Sequence, residues 1–471
     1  MSAEQKHPNI IWFITDQQRF DTIHAMGASH MKTPNIDRLV QNGVTLSQCY
    51  CTAPSCVPSR ASLFTMTYPH ETDVYHNGSS WGDHSWVDEL QAAGYHTVNV
   101  GKMHTVPFDA KCGFDERFVV ENKDRPLKLN QPHGGFYDEW DKFLNNNGIR
   151  KPSRETYKNE YPDYETALGA YEWPLEEAAH PDIFVGNMAR WFVDQRQSDS
   201  PLFLEVGFPG PHPPYDPPTR YLDMYEETDL PFSCVTKEEL DAQPSAQTTY
   251  RNEMISCNHD GVRWREQPDE ESLRRLHRYY AANITLIDDQ IGLILESLEK
   301  KGYLENSIIV FMSDHGDCLG EHGHIQKWTM YDSVVRTPMI VCAPGLPAGA
   351  ECSALLQQMD IVPMLFELAG VPLSSTHSAV SALPAIQKSE PVREYVFAEH
   401  SRDNILKGVD LMQMIRSRDW KLVDYDRGDD GELYNLSEDP GEVCNLWNDP
   451  GCQEQKNELL TALKDWAAEA K

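Results

Sequence analysis

Short apolar runs recur along this chain, each closed by polar residues, at 9–15, 97–100, 202–208, 308–312 and 339–342. Runs this brief and this continuously apolar suit strands covered on both faces of a parallel sheet, where no solvent face imposes alternation. Helical spacing fills the gaps at 33–42, at 86–93 closed by Gly94, at 183–195 and at 273–302. The last segment carries Ile284, Ile287, Ile291, Ile294, Leu295 and Leu298 along one face. Strand and helix in alternation predict an α/β fold, a doubly wound and mostly parallel sheet flanked by helices.

Later segments read differently. Residues 209–270 are rich in Pro, Asp and Glu and weakly periodic, and are expected to form long surface loops beside a site. Residues 357–370 read as the last helix of the main unit and 374–389 as a polar loop. Beyond it, 395–400, 412–417 and 420–425 read as antiparallel strands and 454–470 as a terminal helix. The expected organisation is a catalytic α/β domain over 1–388 and a small C-terminal α+β subdomain with an antiparallel sheet over 389–471.

The chain of 471 residues holds 73 acidic against 41 basic side chains, a formal net charge of −32. Such a surface repels polyanions, so neither nucleic acid nor an anionic membrane is an expected partner. Any anion-binding site must be locally positive inside that envelope. The eleven cysteines are odd in number and lack paired Cys-x-x-Cys spacing, which points to mostly reduced thiols rather than a zinc module or a disulfide framework. The apolar run at 9–14 is too short for a signal-peptide core, and no stretch is long enough to span a bilayer. The expectation is a cytoplasmic protein, or a periplasmic or secreted one if a leader has been removed.

Residues that carry chemistry gather where the expected strands end. Asp16-Gln17 close the first run and Asp314-His315 follow the fourth. In an open α/β sheet ligand groups collect at the carboxyl ends of strands, so two distant ends, each with an Asp and a second donor, can share one cation. Oxygen donors suit Ca²⁺ or Mg²⁺, and an imidazole nitrogen tilts the set toward Mn²⁺. Taken alone, Asp314-His315-Gly316 reads equally well as a strand-end turn. Basic side chains stand after other runs: Lys102 and His104 in Gly101-Lys102-Met103-His104, His212 among prolines, and Lys327 at the end of the stretch from Ser313. His322 and His324 in that stretch read as loop braces. Asn77, before Gly78, is either a polar contact to a reacting group or part of a turn. Trp81, Trp86, Trp173, Trp264 and Trp328 either pack or stack on a sugar or aryl ring.

Cys56-Val57-Pro58-Ser59-Arg60, continued by Ala61-Ser62-Leu63-Phe64-Thr65, resembles the Cys-x-Pro-x-Arg signature of type I sulfatases in the alkaline phosphatase superfamily. Lys102-x-His104, Pro211-His212-Pro213-Pro214, Asp314, Lys327 and the segment 432–446 are similar to elements of the same family, in family order. The resemblance implies an alkaline phosphatase-like fold and a sulfuric ester hydrolase. It implies that Cys56 is oxidised to formylglycine by a formylglycine-generating or anaerobic maturation enzyme, and that the hydrated aldehyde attacks the sulfur of a sulfated small molecule or saccharide. It also implies one divalent cation, calcium first and Mn²⁺ or Mg²⁺ after it, held by Asp16, Gln17, Asp314, His315 and residue 56. Arg60, Lys102, His212 and Lys327 would surround the sulfuryl group. His212 is the expected proton donor to the leaving group and His104 the expected helper in the second step, and the two roles are exchangeable. Gln17 and His315 replace an Asp and an Asn found in many sulfatases. That departure is similar to the phosphonate hydrolase and choline-sulfatase side of the superfamily, and it keeps a phosphonate monoester or phosphodiester as the alternative substrate. An intact Cys56-x-Pro58-x-Arg60 argues against a catalytically dead binding protein.

Overall fold

The computed structural model describes residues 7–121, 123, 137–426 and 430–469. Residues 1–6, and Ala470 at the end of the expected terminal helix, lie outside them. The first apolar run forms the strand Asn9–Asp16 inside an eight-stranded sheet. Across that sheet the order is Ala350–Cys352, Val44–Leu46, Met339–Cys342, Ser307–Ser313, Asn9–Asp16, Leu202–Pro211, His96–Gly101, Glu116–Val119. Neighbours are parallel except around Met339–Cys342, which runs antiparallel to both strands beside it. That corrects the expected direction of this run. The preceding segment stays at the carboxyl end of the sheet, where Gly316 and Asp317 donate to the carbonyls of Val334 and Ser333, so the next strand must start there and run back.

Asn9–Asp16 shows why the apolar runs are continuous. Ile10, Trp12 and Ile14 enter one core and Ile11 and Phe13 the other, the two-residue period of a strand with both faces covered. The first core is closed by the helices Cys56–Thr65, Val87–Ala92 and Ile361–Ala369, the second by Pro34–Asn42, Pro181–Gln195 and Glu270–Lys300. Trp12 stacks on Trp86 at 5.5 Å between ring centres.

Residues 209–270 hold three helices, Thr219–Asp223, Lys237–Ala242 and Ser245–Ser256, where loops were expected. Gln247, Tyr250, Arg251 and Met254 are buried at helical spacing in the last of these, and the polar identity of Gln247 and Arg251 hides the stripe from a hydrophobic pattern. Helices Glu139–Asn146 and Arg154–Glu160, capped by the side chains of Asp138 and Ser153, also escaped the sequence reading.

The strands Val396–Ser401, Leu411–Arg416 and Trp420–Tyr425 form an antiparallel sheet as expected, extended by a fourth, Gly431–Asn435. The helix Gln453–Glu469 adds Leu459, Leu463 and Trp466 to the core beneath it, with Trp466 stacked on Phe397 at 4.4 Å. Lys421, wholly buried in this sheet, reaches Asp332 Oδ1 and Glu442 Oε1 at 2.5 Å each, tying the sheet to the segment that follows the site.

Candidate active site

Cys56 is the first residue of the helix Cys56–Thr65. Ser55, in extended conformation, ends the approach, and Pro58 falls in the first turn, where a helix has no use for its amide proton. Nine of the ten helical residues are buried, so the helix enters the interior and presents its positive end at residue 56. The Val57 N–H donates to Asn77 Oδ1 at 3.0 Å. Arg60 lies one turn on, four residues from Cys56, and therefore shares its face.

Four adjacent strands supply the rest from their carboxyl ends. Asn9–Asp16 delivers Asp16 and Gln17, Ser307–Ser313 delivers Asp314 and His315, Leu202–Pro211 delivers His212, and His96–Gly101 delivers Lys102 and His104. Two local features set these ends. The register of Asn9–Asp16 against Leu202–Pro211 shifts between Ile14 and Asp16, and the His212 N–H donates to the Asp16 carbonyl at 3.0 Å. Gly101 has φ +104° and any Cβ there would stand 2.0 Å from the Gly207 carbonyl oxygen, so only glycine lets Lys102 take its place.

Around Cys56 Sγ lie Lys327 Nζ at 3.0 Å, His315 Nε2 at 3.2 Å and Asp16 Oδ1 at 3.6 Å. Arg60 Nε donates to Asp314 Oδ2 at 2.7 Å and its Nη1 to the Lys102 carbonyl at 2.8 Å, while Nη2 is 3.7 Å from Asp16 Oδ2. Lys102 Nζ is 2.6 Å from the same Asp16 oxygen. Cys56, Arg60, Asp16, Gln17, Asp314, His315 and Lys327 are all at most 1% exposed. Burial works against the charge on Asp16, but Lys102, His212, Lys327 and Arg60 outweigh it and hold the carboxyl well below its usual range. Burial likewise opposes charge on Lys327, and Cys56, Asp16 and Asp260 more than restore it, so its ammonium is held charged. His212 is pushed well below its usual range by burial and by Lys327.

One atom each of Asp16, Cys56, Asp314 and His315 falls within 4.8 Å of the others. His315 Nδ1 faces the Gly316 carbonyl at 2.9 Å and must donate to it, which turns Nε2 toward the cluster; burial opposes charge there, but Asp314 and Cys56 outweigh it and favour a proton on Nε2, one that a bound cation would displace. Asp16 Oδ2 makes no hydrogen bond of good geometry despite the nearby lysine. Two buried carboxylates and an imidazole nitrogen with a lone pair to give once that proton leaves fit a single divalent cation.

The structure thus gathers Cys56, Arg60, Lys102, Lys327, Asp16, Asp314 and His315, and sets Gln17 beside them with its Oε1 accepting from Lys327 Nζ at 2.9 Å. His212 Nδ1 donates to the Pro213 carbonyl at 2.7 Å, leaving Nε2 as its working nitrogen, 3.5 Å from Asp260 Oδ2. His104 is held by its backbone, its N–H donating to Glu121 and its carbonyl accepting from Trp81. Asn77 joins the site through the helix start that it caps. The five tryptophans are at most 7% exposed and pack rather than present a stacking face. His322, bound to Glu239 and stacked on Tyr331, and His324, stacked on Tyr250, brace the loop as expected. Sequence reasoning missed Asp260, Asp317, Glu121 and Glu205, isolated acids in a chain full of them, with no motif to mark them.

Comparison with known proteins agrees with this geometry. The sulfatase family profile matches residues 8–371, and that of the N-sulphoglucosamine sulphohydrolase C-terminal region matches 320–469. The chain is 28% identical to an arylsulfatase of Clostridium perfringens, over 92% of this chain and 89% of the relative. It is 29% identical to a choline-sulfatase of Rhizobium meliloti, over 92% and 81%. Its fold is similar to that of a phosphonate monoester hydrolase from Silicibacter pomeroyi, with a TM-score of 0.80 and 21% identity over 98% of this chain and 96% of the other. With the signature cysteine, the strand-end carboxylates and the profile match over most of its length, the chain belongs to the sulfatase family of sulfuric ester hydrolases.

Proposed function

We propose that this chain hydrolyses the sulfate ester of a small organic molecule or saccharide, with Cys56 matured to formylglycine and one divalent cation, Ca²⁺ in first place, bound by Asp16, Asp314, His315 and Gln17. The observation that carries this reading is the position of residue 56, at a buried helix start, touching Lys327 and His315 and bordering the carboxylate cluster. Formylglycine supplies, as its hydrate, a nucleophilic oxygen and a second hydroxyl through which sulfate can leave, and the cation supplies charge that favours the ionised hydrate.

The chain's own groups do the remainder. Arg60 locks Asp314 and stands against Asp16, fixing both carboxylates. Lys102 and Lys327 offer ammonium groups to sulfuryl oxygens as negative charge develops. His212, with Nδ1 donating to Pro213 and its pKa pushed well down by burial and Lys327, presents Nε2 as a lone pair, so as the proposed acid it must take up a proton before passing one to the leaving oxygen. His104, two residues past Lys102 in sequence and held by its backbone, is the proposed second imidazole. The negative surface and the positive site coexist because the lysines and Arg60 are buried among the carboxylates they balance.

A second reading, a phosphonate monoester or phosphodiester hydrolase, is favoured by Gln17 and His315 at the metal cluster. The test is the specificity constant of matured enzyme on a matched aryl sulfate, aryl phosphonate monoester and phosphodiester, before and after chelation. Sulfate is expected to win and chelation to remove activity. A wide margin for the phosphorus substrates would replace the first reading by the second.

A further inference from the structure

Asp317 lies three residues beyond Asp314 and does not touch Cys56, yet its carboxylate is wholly buried and used at four points. Oδ2 accepts from Gln17 Nε2 at 2.7 Å and from the Tyr215 hydroxyl at 2.6 Å. Oδ1 accepts from the backbone N–H of Leu319 and of Gln326, at 2.9 Å each. Backbone amides cannot accept, so Oδ1 is an acceptor twice over, and a carboxylate is an acceptor throughout.

A glutamine side chain has one donor end and one acceptor end, and by itself either can face a given neighbour. Here both ends are decided. The NH₂ of Gln17 must face Asp317, and Oε1 then faces Lys327 Nζ at 2.9 Å, which can only donate. The Gln17 backbone is held as well, with φ 70° and its N–H donating to Asp314 Oδ1 at 3.0 Å. The same Lys327 nitrogen donates to Cys56 Sγ.

We propose that Asp317 is a positioning residue that locks the Gln17 amide with its carbonyl oxygen toward Lys327 and the Asp16–Asp314–His315 cluster. The proposal rests on the reading that this cluster takes a divalent cation, and it explains how a neutral glutamine serves at such a place. A cation accepts a lone pair from Oε1 and is repelled by an NH₂ group, so an unlocked Gln17 is a mixed neighbour and a locked one is a uniform oxygen donor. An aspartate has no such ambiguity and needs no lock.

Two measurements on the full chain test it. In cation-free protein carrying ¹⁵N-labelled glutamine side chains, the Gln17 NH₂ signal is assigned by its loss in Gln17→Glu and its hydrogen exchange is followed. Slow exchange in the parent protein, and faster exchange in Asp317→Asn, is the expected result. Calcium titration by calorimetry is the second readout. Asp317→Asn is expected to bind Ca²⁺ roughly 10–100-fold more weakly, as loss of a group supporting a metal ligand does. The exchanged pair Gln17→Glu with Asp317→Asn, which restores opposite polarity at unchanged net charge, is expected to recover most of that loss. Exchange of the Gln17 NH₂ as fast as that of surface glutamines overturns the lock. So does calcium affinity in Asp317→Asn equal to that of the parent, or an exchanged pair no better than Asp317→Asn. If Asp317→Asn does not fold, the parent and the exchanged pair decide. If the parent itself ignores Ca²⁺, Mn²⁺ and Mg²⁺, the cation reading falls, and amide exchange alone decides the lock.

Discussion

Glu205 sits mid-strand in Leu202–Pro211, fully buried beneath the site, with Oε2 accepting from Asn99 Nδ2 and Oε1 without a hydrogen-bond partner. Burial pushes its carboxyl up to about 8 although Arg60 pulls the other way, against an ordinary value of 4.5. The folded-state value is raised, so the sign is fixed. Below 4.5 both folded and unfolded chains hold the proton, and from there to about 8 only the folded chain does. Stability therefore falls as pH rises through that window, by up to ~1.4 kcal/mol per pH unit, and levels off above it. At pH 6 the accumulated loss is about 2 kcal/mol and at pH 9 about 5 kcal/mol. Glu205→Gln keeps the shape and the acceptor for Asn99 but never ionises. It is expected to be more stable than the parent at both pH values, with the advantage larger at pH 9 by about 3 kcal/mol. Urea denaturation followed by tryptophan fluorescence, for both proteins at pH 6 and pH 9, measures that difference. An advantage that is the same at the two pH values, within about 1 kcal/mol, would refute the claim that Glu205 folds neutral. The point bears on catalysis, because a neutral Glu205 leaves the Arg60 charge to Asp314 and Asp16.

Cys56→Ala should lose all turnover and keep the fold, and sulfatase activity surviving in the purified variant, with an unchanged melting curve, contradicts the nucleophile assignment. Lys102→Ala should lower kcat/KM for a sulfate ester by roughly 10²–10³ and lower any phosphodiesterase activity less, since the Lys102-x-His104 element resembles that of sulfatases rather than phosphonate hydrolases; equal losses on both substrates would show that Lys102 does not tell them apart. Asp16 has a folded-state pKa held far below its unfolded value, so the stability it contributes is fully present at neutral pH, begins to be lost as pH falls below about 4 and goes on falling toward the folded-state pKa. Asp16→Asn should therefore show a shallower acid loss from about pH 4 downward than the parent, and melting-temperature curves that stay parallel there would contradict this. Arg60→Met strands two buried carboxylates and should cost about 3–5 kcal/mol in cation-free protein, while a change below about 1 kcal/mol by denaturant titration would show the pair to be weaker than its geometry suggests.

The sheet was legible because its strands are covered on both faces, which writes them as unbroken apolar runs such as 9–15 and 202–208. The direction of Met339–Cys342 was not, because direction depends on where the preceding loop leaves the chain. Ser245–Ser256 was missed because it buries Gln247 and Arg251 among its core contacts, so its periodicity is one of burial rather than of hydrophobicity. At the site, Cys56 and Arg60 were legible through their resemblance to a family signature, and Asp16 and Asp314 as strand ends. Asp317 and Glu205 were not, since their importance lies in which donors surround them, and those donors, Tyr215 and Asn99, come from elsewhere in the chain. Asn77, read as a polar contact to a reacting group or part of a turn, uses its side-chain carbonyl to cap the helix that carries residue 56.

The burial of the helix start has a consequence for the order of events in this protein's life. Cys56 is 1% exposed, and Ser55 before it and every residue through Phe64 after it are shut in as well. An enzyme that rewrites a thiol must take hold of several residues on either side of it, and the finished fold offers none of them. On the proposed reading, conversion and folding are therefore competitors, and a chain that wins the race to fold with its thiol intact is stranded beyond the reach of its maturation enzyme. The fraction of active molecules is then set during synthesis, and adding the maturation enzyme to folded protein leaves it unchanged until the chain is unfolded and allowed to try again.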